Sequence, residues 1–159
     1  MNRYPSALNR DSTRMNRYPS RVFTWLSAYE YLRRPEVSYA MLQQLFPDAL
    51  RATDALRVYV CNVMTQPGET DGFTASDHVR ALEAHAGGRV CDYVLVNTAI
   101  PQPELMERYR ASGQDLVLSD VDRIRQMGYK VITGNFISQT DYVRHDPHRL
   151  AQAILRLAK

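Results

Sequence analysis

The sequence predicts an α/β fold in which a parallel sheet is flanked by helices. Three apolar stretches rich in β-branched residues have the length of strands: Leu56–Asn62, Tyr93–Asn97 and Lys130–Thr133. Segments with the spacing of amphipathic helices separate them. Strands that alternate with helices in this way are joined by crossover connections and lie parallel. With 159 residues, the chain has the length of one ordinary domain.

Capping signals set the ends of the predicted helices. Thr74 to Asp77 has a capping-box pattern that begins a helix through about His85, and Gly87 and Gly88 end it. Asp146 and Pro147 begin the last helix as N-cap and first residue. The other predicted elements are a helix over 101–110, a brief helix capped by Ser119 and closed by Gly128, and extended pieces at 116–118 and 136–143.

The first 52 residues are different in character. Residues 1–20 are rich in Pro, Ser, Asn and Arg and contain MNRYPS twice, so we expect a disordered basic arm. Apolar spacing predicts a helix over 22–34, and a second helix over 39–51 that is broken near Pro47. Together, residues 21–52 are expected to form a helical segment.

Charge and composition exclude several classes of protein. Residues 1–21 carry five arginines and one aspartate, so the other 138 residues of this +3 chain sum to −1. A basic arm on a near-neutral domain is a poor footprint for nucleic acid. No stretch approaches the roughly 20 apolar residues of a membrane span, so we expect a cytoplasmic protein. Cys61 and Cys91 are expected to be small core residues.

A polar loop, residues 62–73, follows the first strand. Ligands of doubly wound sheets bind beyond the carboxyl ends of the strands. The loop also leads into a helix N-terminus, where free N–H groups favour phosphate. A structural turn would explain the same composition, so both explanations stay open. The polar side chains and flexible points of the loop are Asn62, Thr65, Gln66, Gly68, Thr70 and Gly72.

The loop carries a family resemblance. The run CNVMTQPGETDGF at 61–73 resembles the signature segment of the gluconeogenesis factor family, whose members are similar to 2-phospho-L-lactate transferase. The similarity continues in the same order through Ser76–His78, Val94–Asn97 and Tyr142–Asp146. It covers about Thr53 to Lys159, two thirds of the chain.

The resemblance implies a Rossmann-like protein that binds uridine-diphosphate sugars such as UDP-N-acetylglucosamine. It implies a regulator of gluconeogenic growth, cell-wall synthesis and cell shape, with a nucleotide sugar as its partner. It supplies no catalytic residue, no metal ligand and no cofactor other than this UDP-sugar ligand, and it leaves a homo-oligomer open. The nucleotide- and phosphate-binding residues that it implies are Asn62, Thr65, Gln66, Gly68, Thr70, Gly72 and Arg144.

Residues 1–52 depart from the family pattern. Family members open with a strand and a glycine-rich phosphate loop, whereas the first glycine of this chain is Gly68. We therefore expect 53–159 to be the C-terminal part of a 2-phospho-L-lactate transferase-like domain, truncated at its N-terminal side. Residues 21–52 would precede it without family resemblance.

Several side chains have two explanations. Arg144 could bind a diphosphate in a bidentate manner, or form a surface ion pair with a neighbouring carboxylate. Glu69 and Asp71 could hold Mg²⁺ against phosphates, or be loop charges that complement the helix N-terminus. His78 could act as an acid or base, or be a solvated or hydrogen-bonded residue of the first helical turn.

The segment His145-Asp146-Pro147-His148 also has two explanations. The two histidines suggest a metal site, but Asp146 and Pro147 are accounted for as the start of a helix. No Cys or His cluster with zinc spacing accompanies them. We therefore expect no metal here.

Three functional hypotheses follow. The first is a non-catalytic regulator that binds a nucleotide sugar. The second is a transferase like the related enzyme of coenzyme F420 synthesis, which uses a guanine nucleotide. The third is a truncated product without ligand competence, because a missing N-terminal half would expose a sheet edge.

Overall fold

The predicted α/β class is confirmed in the computed structural model, which describes residues 22–23, 39–139 and 142–157. The strands are β1 Val22–Phe23, β2 Leu56–Val60, β3 Tyr93–Asn97, β4 Lys130–Gly134, β5 Ile137–Gln139 and β6 Val143–His145. The helices are α1 Tyr39–Ala52, α2 Ala75–Ala86, α3 Pro103–Ala111, α4 Val121–Gln126 and α5 Pro147–Leu157. None of the helices in this described part is long and apolar enough to cross a membrane.

Strands β1 to β4 form one parallel sheet in chain order. The β3–β4 pairing is the longest and runs from Tyr93–Lys130 to Asn97–Gly134. Strands β5 and β6 form a separate antiparallel pair, the C-terminal hairpin. Because parallel strands end at the same edge of a sheet, the loops that follow β2, β3 and β4 all leave from one edge. This carboxyl edge is where the candidate residues of the first loop lie.

Helices α2 and α4 cover one face of the sheet and form the main core. Val94 and Val96 of β3 alternate onto this face, as the two-residue period of a strand requires. The cysteine prediction is confirmed, because both thiols are free and buried here. The buried members of the main core are Cys61, Ala75, Val79, Cys91, Val94, Val96, Val117, Ile124 and Tyr129.

A second core lies beyond the carboxyl edge. Its members come from segments that follow the sheet strands, namely the loop after β2, helix α3 and the C-terminal hairpin. The buried side chains are Val63, Leu105, Ile137 and Val143. This core therefore packs the loop after β2 against strand β6.

The structure corrects the predictions before β2. Val22 and Phe23, expected to begin a helix, form β1 and pair in parallel with Leu56 and Arg57. Valine and phenylalanine both favour strands, and pairing with β2 overrides a weak helical spacing. Helix α1 continues through Pro47, where a break was expected. Residues 1–20 and 24–34, with their predicted arm and helix, lie outside the described residues.

Helix ends were predicted with mixed success. The Thr74–Asp77 capping box is present, and Gly87 ends α2 in the left-handed conformation. Asp146 begins α5 as predicted, because its carboxylate accepts the N–H groups of His148 and Arg149. The prediction that Ser119 caps the brief helix was wrong, because α4 begins at Val121 with Asp120 as its N-cap. The apolar face of α5 was expected in the core, yet the structure buries no α5 residue fully among 147–157.

A bidentate ion pair joins the start of β2 to the start of β3. The Arg57 guanidinium donates to both carboxylate oxygens of Asp92, at 2.7 and 3.1 Å, and the Arg57 N–H donates to the same carboxylate at 3.0 Å. A further Arg57 nitrogen donates to the Leu50 carbonyl at the end of α1. The hydrogen bonds from Arg57 hold the pKa of Asp92 below its usual value. This pair therefore locks α1, β2 and β3 together.

We predict that Arg57→Met lowers the free energy of unfolding by about 1.5–3 kcal/mol, because it leaves a half-buried carboxylate without its charged donors. Urea denaturation followed by circular dichroism measures this loss. Arg125→Met is the matched control, because it removes an exposed ion pair between residues one helical turn apart, Arg125 and Asp122. This substitution should lower the free energy of unfolding by only about 0.5 kcal/mol. Equal losses in the two variants would contradict the prediction.

Candidate functional site

The signature loop, residues 61–73, satisfies most of its own backbone. The Gln66 N–H donates to Thr70 Oγ1 at 2.8 Å, and the Gln66 carbonyl accepts the N–H groups of Glu69 and Thr70. The Gly68 N–H donates to the Asp71 carboxylate at 2.8 Å. Free N–H groups were expected to bind phosphate here. That expectation is wrong for four of them, because the turn already uses the N–H groups of Gln66, Gly68, Glu69 and Thr70.

Two glycines permit this closed turn. Gly68 and Gly72 have φ angles of +79° and +69°, in the left-handed region that residues with a Cβ rarely adopt. These are the positions expected to let the loop close, and the closure that the structure shows is internal to the loop.

Thr65 anchors the loop to the segment before α4. Its N–H donates to the Asp115 carbonyl, and its hydroxyl accepts the Asp115 N–H, both at 2.8 Å. The same two segments are joined again by the Val117 N–H, which donates to the Val63 carbonyl. Thr65 is only 3% exposed, so it positions the loop and its hydroxyl is not directed at solvent.

The N-terminus of α2 already holds an anion, which is the carboxylate of Asp120. This carboxylate accepts the Ser76 N–H at 2.8 Å and the Ser76 hydroxyl at 2.6 Å. Thr74 caps the next N–H group, that of Asp77. Burial raises the pKa of Asp120, but the hydrogen bonds from Ser76, together with those from Thr74 and the Asp120 backbone, outweigh it and hold that pKa below its usual value. The expected phosphate site at this helix N-terminus is therefore filled by the protein itself.

The C-terminal hairpin is held against the start of the signature loop. The Tyr109 hydroxyl accepts the Val143 N–H at 3.0 Å and lies 3.5 Å from the Val143 carbonyl, to which it donates. Val143 packs with Val63 in the second core. Burial lowers the pKa of His145, and a hydrogen bond to the backbone of Cys61 opposes that shift. Strand β6 therefore lies beside the carboxyl end of β2.

This arrangement brings Asn62 and Arg144 to the same edge of the sheet. Asn62 precedes Val63, and Arg144 follows Val143, the two residues that pack together in the second core. Both Asn62 and Arg144 are exposed. The Arg144 guanidinium lies over the ring of Tyr142 at 5.0 Å from its centroid. Among the described residues, no carboxylate forms the surface ion pair that was the alternative for Arg144.

The predicted binding residues thus divide into two groups. Asn62, Arg144 and the Gln66 side chain face solvent and are free to meet a ligand. The others shape or anchor the loop: Thr65, Gly68, Thr70 and Gly72.

Two residues that matter at this edge were missed in the sequence. Asn97, at the end of β3, donates to the Ala99 carbonyl and accepts the Phe136 N–H, so it ties the ends of β3 and β4 together. Asp120 reaches a helix 44 residues earlier in the chain. A polar residue directly after a buried strand signals Asn97, but no local pattern predicts the partner of Asp120.

Glu69 and Asp71 are the two carboxylates of the signature loop. Asp71 closes the turn by accepting the Gly68 N–H, a role that neither of the two explanations had given it. No group of three or more potential metal-binding side chains occurs within the described ranges. For Glu69, the geometry supports neither a Mg²⁺ ligand nor a charge that complements the helix N-terminus. The metal explanation of His145 and His148 gains no support either.

His78 is a buried residue near the start of α2. It is 6% exposed, its ring packs edge-on against Phe73 at 5.4 Å between centroids, and its Nε2 atom has no hydrogen-bond partner among the described residues. Burial lowers the pKa of His78, and the nearby charge of Asp77 opposes this only in part. The neutral form is therefore the one that fits this position.

The family is decided by a sequence profile. The profile of the family described as 2-phospho-L-lactate transferase CofD matches residues 40–137 of this chain. The chain belongs to this family. The matched stretch contains the whole signature loop and begins inside α1, upstream of the boundary expected at Thr53. The resemblance drawn from the signature segment is confirmed.

Individual relatives of the CofD family agree. A gluconeogenesis factor of Bacillus subtilis is 40% identical over 106 residues, which are 66% of this chain and 33% of that protein. A Clostridium acetobutylicum protein that carries the gluconeogenesis factor name is 43% identical over 109 residues, or 68% of this chain and 24% of its own.

A solved structure gives the same result. A Bacillus halodurans protein of the UPF0052 family superimposes with a TM-score of 0.67 at 35% identity. The match covers 69% of this chain and 35% of that one. The chain therefore spans about a third or less of the length of these relatives.

We predict that Asp120→Ala lowers the free energy of unfolding by about 2 kcal/mol, because it removes the anion from the α2 N-terminus and leaves the Ser76 donors unpaired. Thermal and urea denaturation measure the change. Asp122→Ala, which alters an exposed carboxylate one turn along α4, is the control and should stay within about 0.5 kcal/mol of wild type. A stable Asp120→Ala protein would remove Asp120 from this role.

We also predict that stability falls on acidification because of His78. Its folded pKa lies below its ordinary value of 6.5, so the unfolded chain takes up a proton first as the pH decreases through that value. The loss begins near pH 6.5 and continues down to the lowered folded pKa. Denaturation midpoints at pH 7.5, 6.5 and 5.5 should show a smaller decline for His78→Phe than for wild type.

The control for this pH series is His148→Ala, because His148 is exposed. The denaturation midpoint of this variant should decline with falling pH as steeply as that of wild type. His145, whose pKa is also lowered by burial, accounts for part of the remaining slope. An unchanged slope in His78→Phe would show that His78 does not set the acid sensitivity.

Proposed function

We propose that this chain binds a nucleotide sugar of the UDP-N-acetylglucosamine type at the carboxyl edge of its sheet. The observation that supports the proposal most directly is the position of Arg144. It is exposed on β6, directly after Val143, which packs with Val63 of the signature loop, and within the described residues its guanidinium lies over an aromatic ring and pairs with no carboxylate. A guanidinium in that state can donate two parallel hydrogen bonds to a diphosphate.

The remaining ligand contacts come from side chains. Since the turn uses the N–H groups of Gln66, Gly68, Glu69 and Thr70, the amides of Asn62 and Gln66 are the neutral groups left to bind the nucleotide. Amide side chains both donate and accept, so they suit the hydroxyl and carbonyl groups of a sugar or base. In the proposed site, Arg144 binds phosphate and the two amides orient the rest of the ligand.

In the cell, the proposed role is regulatory. Relatives that match this chain are named as gluconeogenesis factors, which favours a cytoplasmic, ligand-responsive regulator of growth on gluconeogenic carbon sources, with effects on cell-wall synthesis and cell shape. Since the chain corresponds to about a third of such relatives, this role is proposed for the chain together with whatever supplies the rest of the domain.

We predict that Arg144→Ala weakens binding of UDP-N-acetylglucosamine by about 10- to 100-fold, the loss expected for a charge-assisted hydrogen-bond pair, without changing the unfolding midpoint. Isothermal titration calorimetry and a thermal-shift series measure the two quantities. Arg144→Lys should recover only part of the affinity, because an ammonium group cannot bind a diphosphate in the bidentate manner.

Arg125→Ala is the matched control for Arg144→Ala. It removes another exposed arginine, on α4 and paired with Asp122, and should leave affinity unchanged. GDP and NAD serve as comparison ligands. Equal affinity of Arg144→Ala and wild type would exclude Arg144 from the site.

A transferase activity is the second candidate. The matching family profile is described by a 2-phospho-L-lactate transferase, and that description favours transfer chemistry with a guanine nucleotide. Incubation of the chain with 2-phospho-L-lactate or phosphoenolpyruvate and GTP, followed by chromatography, tests it. A guanylylated product would favour the enzyme, whereas binding of a UDP-sugar without product would favour the regulator.

A further inference from the structure

Tyr142 is one of the few large aromatic side chains that the described structure leaves open to solvent. It is 59% exposed, although aromatic rings normally bury most of their surface. It precedes β6 and lies two residues before Arg144, at the carboxyl edge of the sheet. An exposed ring beside a guanidinium that pairs with no carboxylate among the described residues calls for an explanation other than core packing.

We propose that Tyr142 is the stacking platform for the base of the bound nucleotide. This inference rests on the proposed nucleotide-sugar function, and it assigns the base to a side chain that lies outside the signature loop. In this arrangement the ring of Tyr142 holds the base, while the neighbouring Arg144 binds the phosphates.

The geometry of the pair supports this division of roles. The Arg144 guanidinium lies over the Tyr142 ring at 5.0 Å from the centroid, a cation–π distance that limits the movement of both groups. A guanidinium placed over a ring still has its N–H groups directed outward along its edges, toward a phosphate. In a nucleoside diphosphate, a single ribose links the base to the phosphates. The base and the phosphates are therefore close enough to bind two neighbouring side chains.

The backbone beside this pair is held firmly. The Tyr109 hydroxyl binds both polar backbone groups of Val143, the residue between Tyr142 and Arg144. On the other side, the half-buried His145 pairs with Ile137 of β5 in the C-terminal hairpin. Arg144 therefore presents its side chain from a paired strand, with Tyr142 directly before that strand, which lowers the entropy cost of binding a ligand.

The platform should hold different bases about equally. Stacking on an aromatic ring depends on the flat face that every base has, and only contacts to the base edges distinguish one base from another. Tyr142 is therefore expected to add affinity for uridine and guanosine nucleotides alike. Selection between them is left to groups that reach the base edge, such as the exposed amides of Asn62 and Gln66.

The test is calorimetric titration of the 159-residue chain with UDP, GDP and inorganic pyrophosphate. We expect Tyr142→Leu to weaken UDP and GDP binding by about tenfold each, the usual loss of one stacked base, and to leave pyrophosphate binding unchanged. Tyr142→Phe keeps the ring and should bind all three ligands like wild type. The phenylalanine variant also rules out loss of the hydroxyl as the cause.

Tyr93→Leu is the matched control. Tyr93 also lies under a cation, Lys130, at 5.2 Å from the ring centroid, but the two residues begin β3 and β4 and so lie at the opposite edge of the sheet. Its removal should leave the affinity for all three ligands unchanged.

Three outcomes would overturn the inference, and they differ from one another. Wild-type affinity of Tyr142→Leu for UDP would reject the platform while the nucleotide site stands. An equal loss for pyrophosphate would mean that Tyr142 acts only through Arg144. No binding of UDP or UDP-N-acetylglucosamine by the wild-type chain would reject the proposed function itself, and the platform with it.

Discussion

The carboxyl edge of this sheet is governed by the requirement that every backbone N–H group find an acceptor. A loop as long as the signature loop, between a strand and a helix, has many such groups, and leaving them unpaired away from water is costly. Here the loop supplies its own acceptors, at the Gln66 carbonyl, Thr70 Oγ1 and the Asp71 carboxylate, and Asp120 supplies one for α2. The loop consequently closes on itself, and in the proposed site exposed side chains are left to recognise a ligand.

The second core explains how distant segments reach this loop. Val63 comes from the loop after β2 and Val143 from β6, eighty residues later, yet both lie in one small apolar cluster. Tyr109 adds hydrogen bonds from α3 to the same strand. The cluster lies beyond the strand ends, so it packs Val143, the neighbour of Arg144, with Val63, the neighbour of Asn62, while Cys61 ties the start of the same loop to the main core.

The sequence predicted what local rules control and missed what distant contacts control. Alternation of strands and helices, the capping box of Thr74 and the start of α5 at Asp146 follow from spacing and local hydrogen bonds. The strand at Val22–Phe23 depends on pairing with β2. The phosphate site expected at the α2 N-terminus is filled by Asp120. At the candidate site, the sequence identified the loop, while only the fold separates its anchoring residues from its exposed ones.

The state of the charged groups also decides which kind of ligand suits this edge. Three carboxylates of the loop and the α2 N-terminus accept backbone N–H groups: Asp71 from Gly68, Asp77 from Thr74 and Asp120 from Ser76. A metal ion could recruit them only by breaking those hydrogen bonds, each of which then leaves a donor unpaired. Arg144 needs no such rearrangement, because its guanidinium rests on an uncharged ring. In the proposed site, an anion that carries its own flat, apolar group would meet both halves of this pair at once, as a nucleotide would, whereas a bare phosphate would meet only Arg144.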